Sequence, residues 1–266
     1  MRWLQAGALC VMLACAMPAA GQNLFEVQVF PDENLARGES ELEFHNVLIP
    51  ADTERSTPSS AARHDHLSVE MSHGWTDAFE TGIFLETAPD PEDGHPSISG
   101  WHVRPKFRFA PSSRFPFHVS ASVEYAFFKD PGDLEFRQAL SITPIFERHG
   151  RSWDMSLNPG IAIALTGPGA GALPVFEPSA KIASRAWSRL SLGVEYYAET
   201  GTIKHFEPVS QQHHLVFPTL DVHGDSGWDV NVGVGRGLTG GSEHWVLKAI
   251  LGLRLTPPRP ASYEVP

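Results

Sequence analysis

From about residue 39 to residue 255 the chain alternates apolar and polar side chains with a period of two, and a 3.6-residue period is almost absent. In the run from His118 to Phe127, Val119, Ala121, Val123, Tyr125 and Phe127 share one face, while His118, Ser120, Ser122, Glu124 and Ala126 share the other. Leu190, Leu192, Val194 and Tyr196 oppose Ser191, Gly193, Glu195 and Tyr197 in the same way. Near the end, Trp245, Leu247, Ala249, Leu251, Leu253 and Leu255 alternate with His244, Val246, Lys248, Ile250, Gly252 and Arg254. Successive side chains of a strand point to opposite faces, so each such run is a strand with one apolar side. Twelve segments follow this rule, near 39–49, 65–73, 79–87, 99–109, 117–128, 134–148, 152–165, 174–185, 188–200, 213–222, 227–236 and 243–255. Most are longer than the roughly 5–6 residues of a soluble strand and match the roughly 9–11 needed to cross a bilayer.

The connections sort by length. Gly74-Trp75-Thr76-Asp77, His149-Gly150-Arg151, Ala186-Trp187 and Gly224-Asp225-Ser226 read as tight hairpin turns, with a slightly longer Pro/Ser turn from Ala110 to Pro116. Segments 50–64, 88–98, 166–173 and 201–212 are longer, so short and long connections largely alternate. Trp75, Trp153, Trp187 and Trp228 stand beside the short turns, and Trp101 and Trp245 begin strands that descend from the long loops. Loop asymmetry, two aromatic girdles and an even strand number are the pattern of an outer-membrane barrel. The expected fold is therefore all-β, an antiparallel up-and-down transmembrane β-barrel of about 12 strands.

The N-terminus supports export. Met1 to Gly21 has a basic start at Arg2, an apolar run from about Leu4 to Met17 and the small residues Ala19-Ala20-Gly21, which are the parts of a signal peptide. Both cysteines, Cys10 and Cys15, lie within it, so cleavage leaves neither a disulfide framework nor a cysteine nucleophile. Arg2 is the only charged residue removed, which takes the net charge from −11 to −12. That acidity argues against a nucleic-acid partner. The expected organisation is a signal peptide at 1–21, an N-terminal extension at 22–38, the barrel at 39–255 and a proline-rich tail at 256–266. The tail cannot continue a ladder, so the last strand ends without the C-terminal aromatic residue that such barrels commonly present to the assembly machinery.

The run Val69-Glu70-Met71-Ser72-His73-Gly74-Trp75-Thr76-Asp77-Ala78-Phe79-Glu80-Thr81-Gly82-Ile83 resembles a hairpin of the bacterial outer-membrane barrels grouped as transporters or as components of a MetA-type pathway of phenol degradation. There a "GLTD" turn precedes an aromatic-Glu-x-Gly strand; here Trp75 replaces the usual Leu. The resemblance implies a barrel placed in the cell outer membrane, in contact with its lipid and with the barrel assembly machinery, handling an unidentified small solute.

If the apolar faces meet lipid, the opposite faces line the lumen. His102, Arg104, Lys106 and Arg108 then form an inward basic ladder, flanked by Glu80 and Glu86 on one side and Ser122 and Glu124 on the other. Such a strip either selects anionic solutes or is neutralised across strands; the flanking carboxylates favour neutralisation. Glu70, Glu135, Glu147, Asp154, Glu177, Glu195 and Asp229 add inward acids, with Lys181, Lys248 and Arg254 among them, predicting a lumen of mixed sign with a mild cation preference. No cofactor and no metal site is expected: His64-x-His66 and His213-His214 have short spacings but no third ligand at a diagnostic distance. No catalytic group is expected either. His66-x-Ser68 and His118-x-Ser120 match the bare His-x-Ser of barrel lipid hydrolases, without a visible orienting partner. The sequence thus points to a barrel that passes or binds small solutes; the alternatives are a non-conducting structural or adhesive barrel, a barrel lipid hydrolase, and a secreted soluble β-sandwich.

Overall fold

A computed structural model describes residues 27–51, 64–89, 95–112, 114–129, 137–184 and 189–256. Fourteen strands follow one another: β1 (Ser40–Ile49), β2 (His64–Thr76), β3 (Phe79–Pro89), β4 (Pro96–Arg108), β5 (His118–Phe128), β6 (Gln138–His149), β7 (Trp153–Thr166), β8 (Val175–Ser184), β9 (Leu190–Glu199), β10 (Gly201–Thr202), β11 (His205–Phe206), β12 (His213–His223), β13 (Trp228–Gly237) and β14 (Trp245–Arg254). The twelve long ones form a closed antiparallel barrel. Each pairs with its neighbour, β9 pairs with β12, and β14 returns to β1 with Phe44 opposite Leu251. The two-residue strands β10 and β11 form a small ladder in the β9–β12 connection and touch the wall once, Thr202 opposite Val175.

Alternation sets the two surfaces. Ile83, Ile182, Leu192, Val194 and Leu251 stand on the outside, while Glu70, Lys106, Ser122, Glu195 and Lys248 are buried inside. Unlike a soluble protein, whose exposed apolar patches are small, this barrel carries a continuous apolar belt. Trp75, Trp153 and Trp228 are exposed at the short-turn end, and Trp101 and Trp245 at the long-loop end. Strands of 10 to 14 residues tilted as barrel strands are give a belt about 25 Å tall, the height of an outer-membrane hydrocarbon layer.

One expectation is adjusted. Gly74-Trp75-Thr76 belongs to β2, and the turn is Asp77–Ala78; a register shift between Gly74 and Thr76 marks a bulge. The reason is close approach, since a Cβ at Gly74 would collide with the carbonyls of Leu35 and Ala36. Prolines also stand inside strands, with Pro159 directly opposite Pro178. Between β6 and β7 the ladder has no pair from Thr143 to Ile145, around Pro144, which lacks a donor N–H. Trp187, Glu135 and the C-terminal tail from 257 lie outside the described residues, as does the segment 1–26.

Candidate functional site: a lumen occupied by the N-terminal segment

Residues 27–38 form no strand and run through the barrel. At the long-loop end Val27 and Val29 pack with Val47, Tyr197, Leu215, Phe217 and Val246 in a buried apolar cluster. At the short-turn end the Gly38 N–H donates to the Gly74 carbonyl at 2.7 Å, and Gly38 takes φ +82°, a left-handed conformation suited to glycine, to swing the chain into β1. Between these ends the segment lacks a backbone partner strand, so its polar groups must be met by side chains of the wall.

They are. The Asn158 side chain of β7 acts as a surrogate peptide, accepting from the Phe30 N–H at 2.7 Å and donating to the Phe30 carbonyl at 3.2 Å. The Asp32 N–H donates to Glu147 of β6 at 2.7 Å and the Leu35 N–H to Glu80 of β3 at 2.6 Å. Lys106 donates to the Glu33 carbonyl, and Arg108 places Nε 3.0 Å and Nη2 2.9 Å from the fully buried Asp32 carboxylate. The Arg104 guanidinium lies 4.3 Å from the Phe30 ring centroid and 4.5 Å from that of Phe84, within cation–π range. On the far side, Lys248 of β14 donates to the Val27 carbonyl at 3.1 Å.

Arg104, Lys106, Arg108, Glu80 and Lys248 therefore grip this segment, and the basic ladder does not line an open passage. Arg104 also pairs with Glu70 at 3.0 Å, and Lys106 with Glu80 at 3.4 Å. His102 is fully buried, 3.3 Å from Glu86 and 3.9 Å from Glu124. Glu195 accepts from Lys248, from Lys181 at 3.0 Å and from Tyr197 at 2.6 Å. Asp32, Asn158 and His149 are site residues that the sequence did not point to. Asp32 belongs to a stretch without alternation, and an amide that imitates a peptide leaves no spacing signature.

Two spaces flank the segment. The upper one, of about 100 Å³, is bordered by Ser122, Glu124, Thr143, Glu177, Ser179 and Tyr197. The lower one, of about 310 Å³, is bordered by Glu43, Asp154, Lys181, Asp221, Asp229 and Lys248. Both border Gln28, so the lumen is narrowed rather than uniformly filled. The lower space is predominantly acidic. Of the hydrolase patterns, Ser68 donates to Glu86.

No protein-family model and no curated protein sequence matches the chain. Solved structures do. The COG4313 outer membrane channel from Pseudomonas putida F1 is similar at 11% identity and a TM-score of 0.59, with 86% of this chain and 100% of that one covered. The KdgM porin is similar at 11% identity and a TM-score of 0.52, with 80% and 98% covered; KdgM has also been solved in complex with oligogalacturonate. The closed barrel, its apolar belt and this shared fold make the chain an outer-membrane β-barrel.

Proposed function

We propose that this barrel is a narrow outer-membrane channel for small polar solutes, whose lumen is restricted by its own segment 27–38. The observation that carries the reading is the pair of spaces beside that segment, both bordered by Gln28, within a wall of buried charges. The segment is held mainly by side chains rather than by a ladder, so it can shift without breaking the wall. The channel and porin folds it resembles support the same reading, as does the hairpin similar to the transporter and MetA-pathway barrels. The acids of the lower space favour cations; an acidic oligosaccharide of the kind that the KdgM structure contains would meet like charge there.

Planar-bilayer recording tests this. Purified protein is expected to show small conductance steps, and a variant lacking residues 27–37 larger ones, because the removed chain frees the centre of the lumen. A folded, heat-modifiable barrel that conducts in neither form would overturn the reading in favour of a structural barrel whose long loops bind a partner.

A further inference from the structure

Asp32, in the middle of the lumenal segment, meets two wall histidines at the short-turn end. His118 begins β5 and His149 ends β6, and their rings lie edge to face with centroids 5.1 Å apart. His118 Nδ1 is 3.5 Å from Asp32 Oδ2, and His149 Nε2 is 3.6 Å from Asp32 Oδ1. The three ligand-type atoms all lie within 4.8 Å of one another. In a tetrahedral zinc site with bonds of roughly 2.0–2.1 Å, ligand atoms are about 3.4 Å apart. Each histidine stands near that distance from one oxygen of the Asp32 carboxylate, and with one ligand atom taken from each residue the set, all within 4.8 Å, closes on an ion by side-chain adjustment.

The hydrogen bonds around the cluster prepare it for a cation. Asp32 is fully buried, and among the described residues its Oδ1 has no hydrogen-bond partner, nor has His118 Nδ1. Arg108 occupies Oδ2 only. His149 Nδ1 lies 2.8 Å from the Asp154 carboxylate, which can only accept while ionised, so Nδ1 carries a proton and, in the neutral ring, Nε2 offers its lone pair toward Asp32. A carboxylate that orients an imidazole in this way is the usual outer support of a histidine metal ligand. An imidazole lone pair facing a carboxylate oxygen at 3.6 Å is repulsive unless the ring takes a second proton or a cation lies between them. Glu147 stands 3.9 Å from the same ring.

We propose that Asp32, His118 and His149 form a three-ligand site for a divalent transition cation of the Zn2+ class, with one position left for water, and that the bound ion ties the lumenal segment to the wall. Imidazole and carboxylate ligands suit such ions. The site rests on the barrel and the seated segment, not on conduction.

The test is equilibrium dialysis of the full-length barrel in detergent, stripped with EDTA and titrated with Zn2+. One zinc per chain is expected. His118→Ala, His149→Ala and Asp32→Asn should each weaken binding by about tenfold or more, while paired replacement of His213 and His214 by Ala leaves it unchanged. Co2+ substituted at the site should show the visible absorption of a tetrahedral ion, lost in the same three variants. Zinc that persists after both His118 and His149 are replaced, or that leaves with His213 and His214, would overturn the site. So would wild-type protein that binds no stoichiometric zinc, in which case a protonated His149 accounts for the geometry. If a variant fails to fold, the wild type still decides. Zinc at a hundred times its dissociation constant should raise unfolding stability by about 2.7 kcal/mol, and the absence of any such shift also overturns the proposal.

Discussion

Arg104 reaches Glu70 across the whole width of β3 because Gly82 stands between them. A Cβ at that glycine would collide with the Glu70 carboxylate and would stand 2.9 Å from Ser72 Oγ and 3.0 Å from the Phe84 ring. Glu70 is buried and also accepts from Ser72 at 2.5 Å. Removing one partner of such a pair strands a charge, so Arg104→Met should cost about 3–5 kcal/mol in denaturant unfolding of the micelle-bound barrel, and adding Glu70→Gln should recover part of that loss. Gly235 poses the apolar version. A Cβ there would run into the Phe217 ring, so Gly235→Val should destabilise by about 1–3 kcal/mol, and Phe217→Leu on that background should relieve it. The inward direction of Arg104 and Glu70 was legible in the sequence, because a period of two sorts faces without reference to tertiary structure. Their pairing was not, since adjacent-strand logic matches Arg104 with β3 or β5 while the actual partner is on β2.

The strands were readable as elements, the lumenal segment was not. A strand in this wall repeats the same choice of lipid or lumen at every second residue, so errors average out over ten positions. Val27-Gln28-Val29-Phe30-Pro31-Asp32 offers too few repeats, and the wall side chains that hydrogen-bond segment 27–38 come from five different strands (β3, β4, β6, β7 and β14). Gly74 was misplaced for the same reason: a glycine after a strand reads as a turn unless the chain passing over it is known. The segment's attachment through side chains can be checked by hydrogen exchange. Asn158→Ala should speed exchange of the Phe30 amide, and Glu80→Ala that of the Leu35 amide, by about fivefold each if a bond contributes about 1 kcal/mol. Amides of the β12–β13 ladder should be unaffected. Equal acceleration of both regions would mean that the barrel opens as a unit.

At the scale of the molecule, the apolar belt and the closed ladder give one expectation and the lumen's charges another. The protein should stay with membranes through high salt and alkaline carbonate, and should migrate faster on gels before heating than after, as a closed barrel does. In bilayers its cation preference should be mild, because most buried bases are matched by acids. Replacing Glu43 and Asp229, which border the lower space, by Gln and Asn should shift the reversal potential toward anions; an unchanged potential would place the solute path elsewhere. The contact between Lys248 and Val27 spans 221 positions of sequence, and Lys248 sits on the strand that seals the barrel against β1. Contacts so distant along the chain reward folding only after loop-closure entropy has been met. The wall is stitched neighbour to neighbour, whereas the segment inside it is fastened across the chain, from Glu80 at 45 positions to Lys248 at 221. Closure of the container and the hold on the start of its stopper therefore fall on one strand, so a variant that loosens the β1–β14 seam should loosen both together.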